Sequence, residues 1–196
     1  FVYDEDVKAP ADKCEKVLKP LTFEGEWEID ADDNALTLDY CDVYFDGELY
    51  QKNCPITSVQ EKACDFGRKV KTELIFRFNV RKLAFKKCQL VIETPEIFTI
   101  EVNGREINRK IEDTFHDSAF KCIDIYGALL AGYNEIKLTC DFEQSERVYE
   151  NIKKSLAFES EKNKLFYDME IEAIYLRGDF GIYTESKFKP LEKGAF

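Results

Sequence analysis

Two stretches of this chain alternate so strictly between apolar and polar residues that little choice of secondary structure remains. In Val70–Val80, Val70, Thr72, Leu74, Phe76, Phe78 and Val80 point one way, and Lys71, Glu73, Arg77 and Asn79 point the other. Only Ile75 breaks the rule. Residues 135–142 repeat it, with Ile136, Leu138, Cys140 and Phe142 on one side and Glu135, Lys137, Thr139 and Asp141 on the other. A helix brings its apolar positions back every three or four residues, so a sustained period of two specifies a strand. One wet face and one apolar face make it an antiparallel strand that needs a second layer to cover it.

The rest of the chain supplies partners. Residues 35–45 read as one long strand whose inward face changes near Cys41 and Asp42, the mark of a bulge. Asp46-Gly47 then turns it into a return strand, because both residues accept the positive φ of a tight hairpin. A weaker strand is expected at 55–59 and an irregular crossing at 60–68. Further strands are expected at 88–93, 97–103, 120–125, 165–167, 171–177 and 180–184. Asn103-Gly104 is a second hairpin signal. Ser145 opens the one good helix, about 146–156, with Lys153 and Lys154 at the negative end of its dipole. Its stripe of Val148, Ile152 and Leu156 predicts that it docks on the sheets. Nine to eleven short strands without a strand-helix repeat make an all-β chain. The expected architecture is an antiparallel two-sheet β-sandwich of jelly-roll type with one short docked helix. It occupies residues 21–185, between a linker or N-terminal arm over 1–20 and a tail or linker over 186–196.

Composition narrows the partners. With 39 Asp and Glu against 28 Lys and Arg, the net charge is −11. Nucleic acid is therefore not expected as a partner, since phosphate binding draws on clustered cations. Anionic membrane surfaces are disfavoured on the same ground, so no membrane partner is expected, and no apolar run nears the ~18 residues of a spanning helix. The seven cysteines are odd in number, never spaced C-x-x-C, and accompanied by a single histidine, so a structural zinc site has no ligand set. Cys88, Cys122 and Cys140 fall within apolar strands and read as reduced core thiols of a cytoplasmic protein. Cys54 and Cys64 are the best placed for a disulfide.

Four constellations bear on chemistry. Glu28, Asp30 and Asp33 resemble the acid-bearing strand of jelly-roll glucanases, but the segment runs into an Asp-Asp-Asn turn. A retaining pair needs its carboxyls held about 5–5.5 Å apart, and a turn does not hold them. No cofactor is expected, although Asp30, Asp32, Asp33 and Asn34 offer oxygens of the kind structural calcium takes; the alternative is a solvated turn. His116 and Cys122 lie six apart, with Cys122 inside a strand, a poor arrangement for a nucleophile and its base. Sugar binding fits best, because it asks for an aromatic face and planar polar groups together. Phe115, His116 and Asp117 supply both in an inter-strand loop; the alternative is that Phe115 joins the core and His116 caps a turn. Trp27, Tyr44 and Tyr50 offer a second aromatic platform.

Val102-Asn103-Gly104, Ile123-Asp124-Ile125 and Gly132-Tyr133-Asn134-Glu135-Ile136 occur in the order found in one family. The pattern resembles the sugar-binding domain of glycoside hydrolase family 2 and of related large bacterial glycosidases, over about residues 70–142 and less closely to Gly181. The resemblance implies a galactose-binding-like jelly roll. It also implies a carbohydrate-binding or purely structural accessory module beside a catalytic barrel domain of the same polypeptide, which would carry the catalytic residues. Two alternatives stand against it: a protein-interaction module, and a small stand-alone glycosidase using Glu28 and Asp30.

Overall fold

The structure, a computed structural model, describes Gly25 and residues 32–183. The chain divides into the units Phe1–Ala31 and Asp32–Phe196, and the sandwich is built from the second. The arm expected over 1–20, the tail expected over 186–196, and Trp27, Glu28 and Asp30 lie outside the described residues.

In chain order come β1 (Asn34–Leu38), β2 (Tyr40–Phe45), β3 (Glu48–Pro55), the helix α1 (Val59–Cys64) and β4 (Val70–Val80). Then follow β5 (Cys88–Ile92), β6 (Thr99–Val102), β7 (Arg105–Glu106), β8 (Ile111–Phe115) and β9 (Asp117–Asp124). The series ends with β10 (Gly132–Phe142), the helix α2 (Glu146–Ala157) and β11 (Ile174–Gly178). One sheet has the order β1-β11-β5-β9-β8 and the other β3-β2-β4-β10-β6-β7. Every pairing is antiparallel.

Four of those pairings explain how the chain wraps. β6 pairs with β7, β5 with β9, β4 with β10, and β1 with β11. Followed outward from the β6–β7 turn, these are successive stretches of one two-stranded ribbon, alternating between the two sheets. A ribbon wound in this way is a jelly roll. The β2–β3 hairpin widens one sheet beyond β4, and β8 widens the other beyond β9.

The two alternating stretches lie side by side at the centre. β4 and β10 stay in register from Val70↔Phe142 to Val80↔Gly132. Leu74, Phe76, Ile136, Leu138 and Phe142 are buried there, within one core cluster that also holds Leu90, Ile123, Ile174 and Leu176 of the facing sheet. Each such side chain contributes about 2 kcal/mol on leaving water. Asn103 and Gly104 both take positive φ, 52° and 75°, and close the β6–β7 hairpin as their sequence predicts. Asp46 and Gly47, at 51° and 85°, do the same for β2 and β3.

Departures from the sequence reading have physical reasons. The single strand expected at 35–45 is two: the chain breaks at Asp39, and β1 and β2 join different sheets. The expected bulge is present, as register shifts on either side of Val43. Residues 56–64 are helical in place of the strand expected at 55–59, a 3-10 turn (Ile56–Ser58) followed by α1, because Ile56, Val59 and Ala63 bury at helical spacing. Between α2 and β11 a 3-10 turn (Glu159–Lys164) is followed by coil at 165–167, in place of the strand expected there. Coil also covers residues 180–183. Ser145 caps α2 through backbone geometry alone; its N–H donates to Asp168 Oδ2 at 2.7 Å. The helix buries Val148 and Ser155, neither of them in the core cluster, and Leu156 of the expected stripe is 83% exposed.

Candidate carbohydrate site

The residues expected to hold sugar in an inter-strand loop form the tight tip of a hairpin. Residues 111–124 fold as the β8–β9 hairpin at the edge of the five-stranded sheet, with Phe115 paired to Asp117. His116 is its tip and takes φ +60°, the left-handed region that few non-glycine residues visit. Phe115 is half-buried, its centroid 4.0 Å from that of His116. The Arg177 guanidinium lies over the Phe115 ring at 5.0 Å, a cation–π contact. One face of the only phenyl ring in the trio is thus already used by the protein. His116 and Asp117 are exposed, and Asp117 Oδ1 accepts from the Ala119 N–H at 2.8 Å. The three are neighbours, but they line neither of the two cavities below.

Arg177 explains why Phe115 sits where it does. Its side chain leaves β11 on the outer face of the sheet and meets Asp33 at 3.3 Å, Asp113 at 3.3 Å and Cys122 Sγ at 3.7 Å. Lys87 closes on the same Asp33 oxygen at 2.5 Å. The Thr114 N–H and then Arg177 hold the Asp113 carboxyl below the usual carboxylate range. Gln89 is buried alongside in register with Arg177, its Oε1 without a partner among the described residues. These contacts tie β8, β9, β11 and the start of β1 together. They also occupy Asp33, while Asn34 donates to the Phe180 carbonyl at 3.2 Å and accepts from its neighbour Ala35 at 3.0 Å. Among the described residues no carboxylate, His or Cys group has the arrangement of a metal site. Cys122 lies against Arg177 rather than His116.

Of the other aromatic platform, Trp27 lies outside the described residues, and Tyr44 and Tyr50 do not share a face. Tyr44 pairs with Leu49, so Tyr50, the next residue, turns to the opposite face and packs on Phe45 at 5.3 Å. Cys54 is directly opposite Cys41 and not joined to Cys64; all three are free thiols.

The motif residues of the resemblance serve the architecture. Asn134 is fully buried in β10; its amide donates to the carbonyls of Leu130 and Gly132 at 2.8 and 2.9 Å. Its oxygen accepts from the Leu130 N–H at 2.9 Å and from the Asn103 amide at 2.8 Å. Asn103 in turn donates to the Ala128 carbonyl and accepts from the Glu135 N–H. The two asparagines therefore replace the backbone bonds that the loop before β10 cannot make for itself.

A cavity of about 930 Å³ opens at one end of the sandwich, where β4 ends, β5 begins and the chain leaves β11. Phe78, Phe85, Phe180 and Tyr183 line it, with Asn79 and Arg81 among its polar groups. Phe85 stacks edge-on with Phe180 at 6.0 Å and with Tyr126 at 5.8 Å. Arg81 braces Tyr183 at 4.3 Å. Asp179 also lines the cavity, but its carboxylate accepts the Lys87 N–H at 2.8 Å and the Lys86 N–H at 3.0 Å. The Lys87 bond, working against burial and helped by Lys86, holds its pKa below the usual range. The signal that could have found this cleft is an aromatic among cations in the connection RKLAFKK, residues 81–87, followed by the phenylalanine of 177–181.

A smaller cavity of about 290 Å³ lies against the β2–β3 hairpin, lined by Asp42, Asn53, Ile75 and Arg77 among others. Asp42 accepts the Asn53 N–H at 2.9 Å and pairs with Arg77 at 2.5 Å. Burial raises its carboxyl, yet the Asn53 N–H and Arg77 together bring it below the usual range. A carboxylate held ionised in this way suits structure better than proton donation, which calls for a raised pKa.

Among the described residues no helix is long and apolar enough to cross a membrane. No family model matches the sequence, and no curated protein matches it.

Proposed function

We propose that this chain is an accessory module of a multidomain glycoside hydrolase, non-catalytic by itself, which holds carbohydrate at the end of its sandwich beside a flanking catalytic barrel. The observation that carries the reading is the 930 Å³ cleft with Phe85, Phe180 and Tyr183 along its wall and Asn79 and Arg81 at its polar positions. A pyranose presents C–H patches to aromatic rings and hydroxyls to planar polar groups, and the cleft offers both in a volume suited to a small ligand. The motif resemblance points to the same class of protein. The contact site moves accordingly from Phe115, His116 and Asp117 to the cleft.

Calorimetric titration with a panel of monosaccharides and plant oligosaccharides tests this. Binding lost in Phe180→Ala and Arg81→Ala is the expected result. Silence of the folded protein across the panel would leave a structural, interdomain role.

A second reading, a protein-interaction module, draws on exposed apolar side chains at the end of α2 and beyond. Leu156 is 83% exposed, Phe158 65% and Phe166 76%. Serine at all three positions would abolish partner capture without touching sugar titration if that reading holds. The stand-alone glycosidase rests on Glu28 and Asp30, outside the described residues; turnover surviving Glu28→Gln would rule it out.

A further inference from the structure

The β2–β3 hairpin carries two cysteines in direct register. Cys41 and Cys54 are cross-strand partners, 2% and 1% exposed, and both are free thiols in the core cluster. The Ile56 N–H bonds the Asp39 carbonyl at 2.9 Å. Bonded and non-bonded pairs alternate along an antiparallel ladder, so the pair two residues on is again of the bonded kind, with its Cα atoms about 5.5 Å apart. Disulfides favour Cα separations of about 5.5–6 Å, which this pair meets. They also favour Cβ separations of only about 3.5–4.5 Å, shorter than the roughly 5.5 Å of a bonded pair, so a bridge here draws the strands together and is readily reduced. The geometry points to a disulfide between Cys41 and Cys54, a redox-sensitive lock on this hairpin.

The contacts of the two thiols fit this chemistry. Cys54 Sγ lies 3.6 Å from the Pro55 carbonyl and 3.4 Å from Ser58 Oγ. Those are weak bonds, released when the side chain turns about χ1 towards Cys41. Burial, then the neighbouring Cys54, push the Cys41 thiol up to about 12, so the closed hairpin is slow to react. Access comes from the strand itself. β3 is the outer strand of its sheet, and apart from Cys54 all its residues are exposed. Such edges open locally far more often than a core strand. In the opened hairpin a thiolate attacks a low-molecular-weight disulfide such as oxidised glutathione, releasing one reduced glutathione. The second cysteine then attacks the mixed disulfide and releases the other, so the protein loses two protons and two electrons and the oxidant gains them. Once formed, the bond holds Asn53 against Asp42 and fixes the wall of the smaller cavity, to which Cys41 also belongs.

The full chain is equilibrated in glutathione redox buffers, with a parallel sample refolded in the oxidised buffer so that burial cannot withhold the thiols. Alkylation, digestion and mass spectrometry then locate the bond. A Cys41–Cys54 cross-link is expected, lost in Cys41→Ser and in Cys54→Ser. Hydrogen exchange in β2 and β3 should slow by about tenfold or more in the oxidised protein. A Cys54–Cys64 link, glutathionylation without an internal bond, or two free thiols after refolding in oxidant would each overturn the assignment.

Discussion

The side-chain amide of Asn103 donates to the side-chain oxygen of Asn134 across 2.8 Å, joining the turn of the β6–β7 hairpin to the first residues of β10. Asn103 holds positive φ at the turn, and Asn134 is fully buried. Neither side chain is free for a ligand. The bond accounts for why two asparagines thirty-one residues apart belong to one sequence pattern.

Asn134→Ala removes the side-chain partner of the Leu130 N–H, the Leu130 carbonyl and the Asn103 amide, all in a part-buried setting. The expected loss is about 3 kcal/mol of unfolding free energy, with the m-value unchanged. Asn103→Gly keeps the turn geometry and should lose about 2 kcal/mol. Because the two share a bond, the double substitution should lose less than the two single losses together. Urea denaturation of the four proteins reads all three expectations.

Gly178 closes β11 where it meets β5, and a Cβ there would overlap the Lys87 carbonyl. Backbone cannot swing aside as a flexible side chain can. Gly178→Ala should therefore destabilise by about 3 kcal/mol or more. Gly127→Ala, where a Cβ meets nothing within 4 Å, should stay within about 0.5 kcal/mol of the parent. Thermal unfolding of the pair separates close approach from a general intolerance of glycine replacement.

The Asp42–Arg77 pair sets a pH dependence of known sign. The folded protein holds this carboxyl below its ordinary value, so the unfolded chain binds more protons in between, and stability rises with pH there. The contribution is complete above about pH 4, the unfolded carboxylate value, and is lost as pH falls through the lower folded one. Asp42→Asn should be about 2 kcal/mol less stable than the parent near pH 7. The gap should shrink below about pH 4. Urea titrations at pH 7, 5 and 3 check it; a gap independent of pH would mean that the carboxylate charge contributes nothing.

What could be read from the sequence was what adjacent residues decide. The alternation of Val70–Val80, the Asn103-Gly104 and Asp46-Gly47 turns, and the start of α2 at Glu146 are each specified within a few residues, and each is present. The switch of sheets at Asp39 is not local: Leu38 and Tyr40 belong to strands whose partners, β11 and β4, lie far along the chain. The cleft is hidden for the same reason. Phe85 and Phe180 are ninety-five positions apart, and only the winding of the ribbon sets them edge to edge. Phe115 was the more visible aromatic because it sits beside the only histidine, but nothing nearby in sequence announces that Arg177 will cover it.

Phe115 and Phe180 consequently separate the two placements of the sugar site. Phe115→Ala removes the ring beneath Arg177 and should lower stability by about 1 kcal/mol, leaving any carbohydrate affinity unchanged. Phe180→Ala removes a wall of the 930 Å³ cleft and the edge-on partner of Phe85. It should lower stability by about 2 kcal/mol and weaken sugar binding about tenfold or more, the effect of losing a stacking face worth some 1.4 kcal/mol. Calorimetry at a temperature where both variants remain folded makes the comparison. Affinity that falls with Phe115 and holds with Phe180 would return the site to the β8–β9 hairpin.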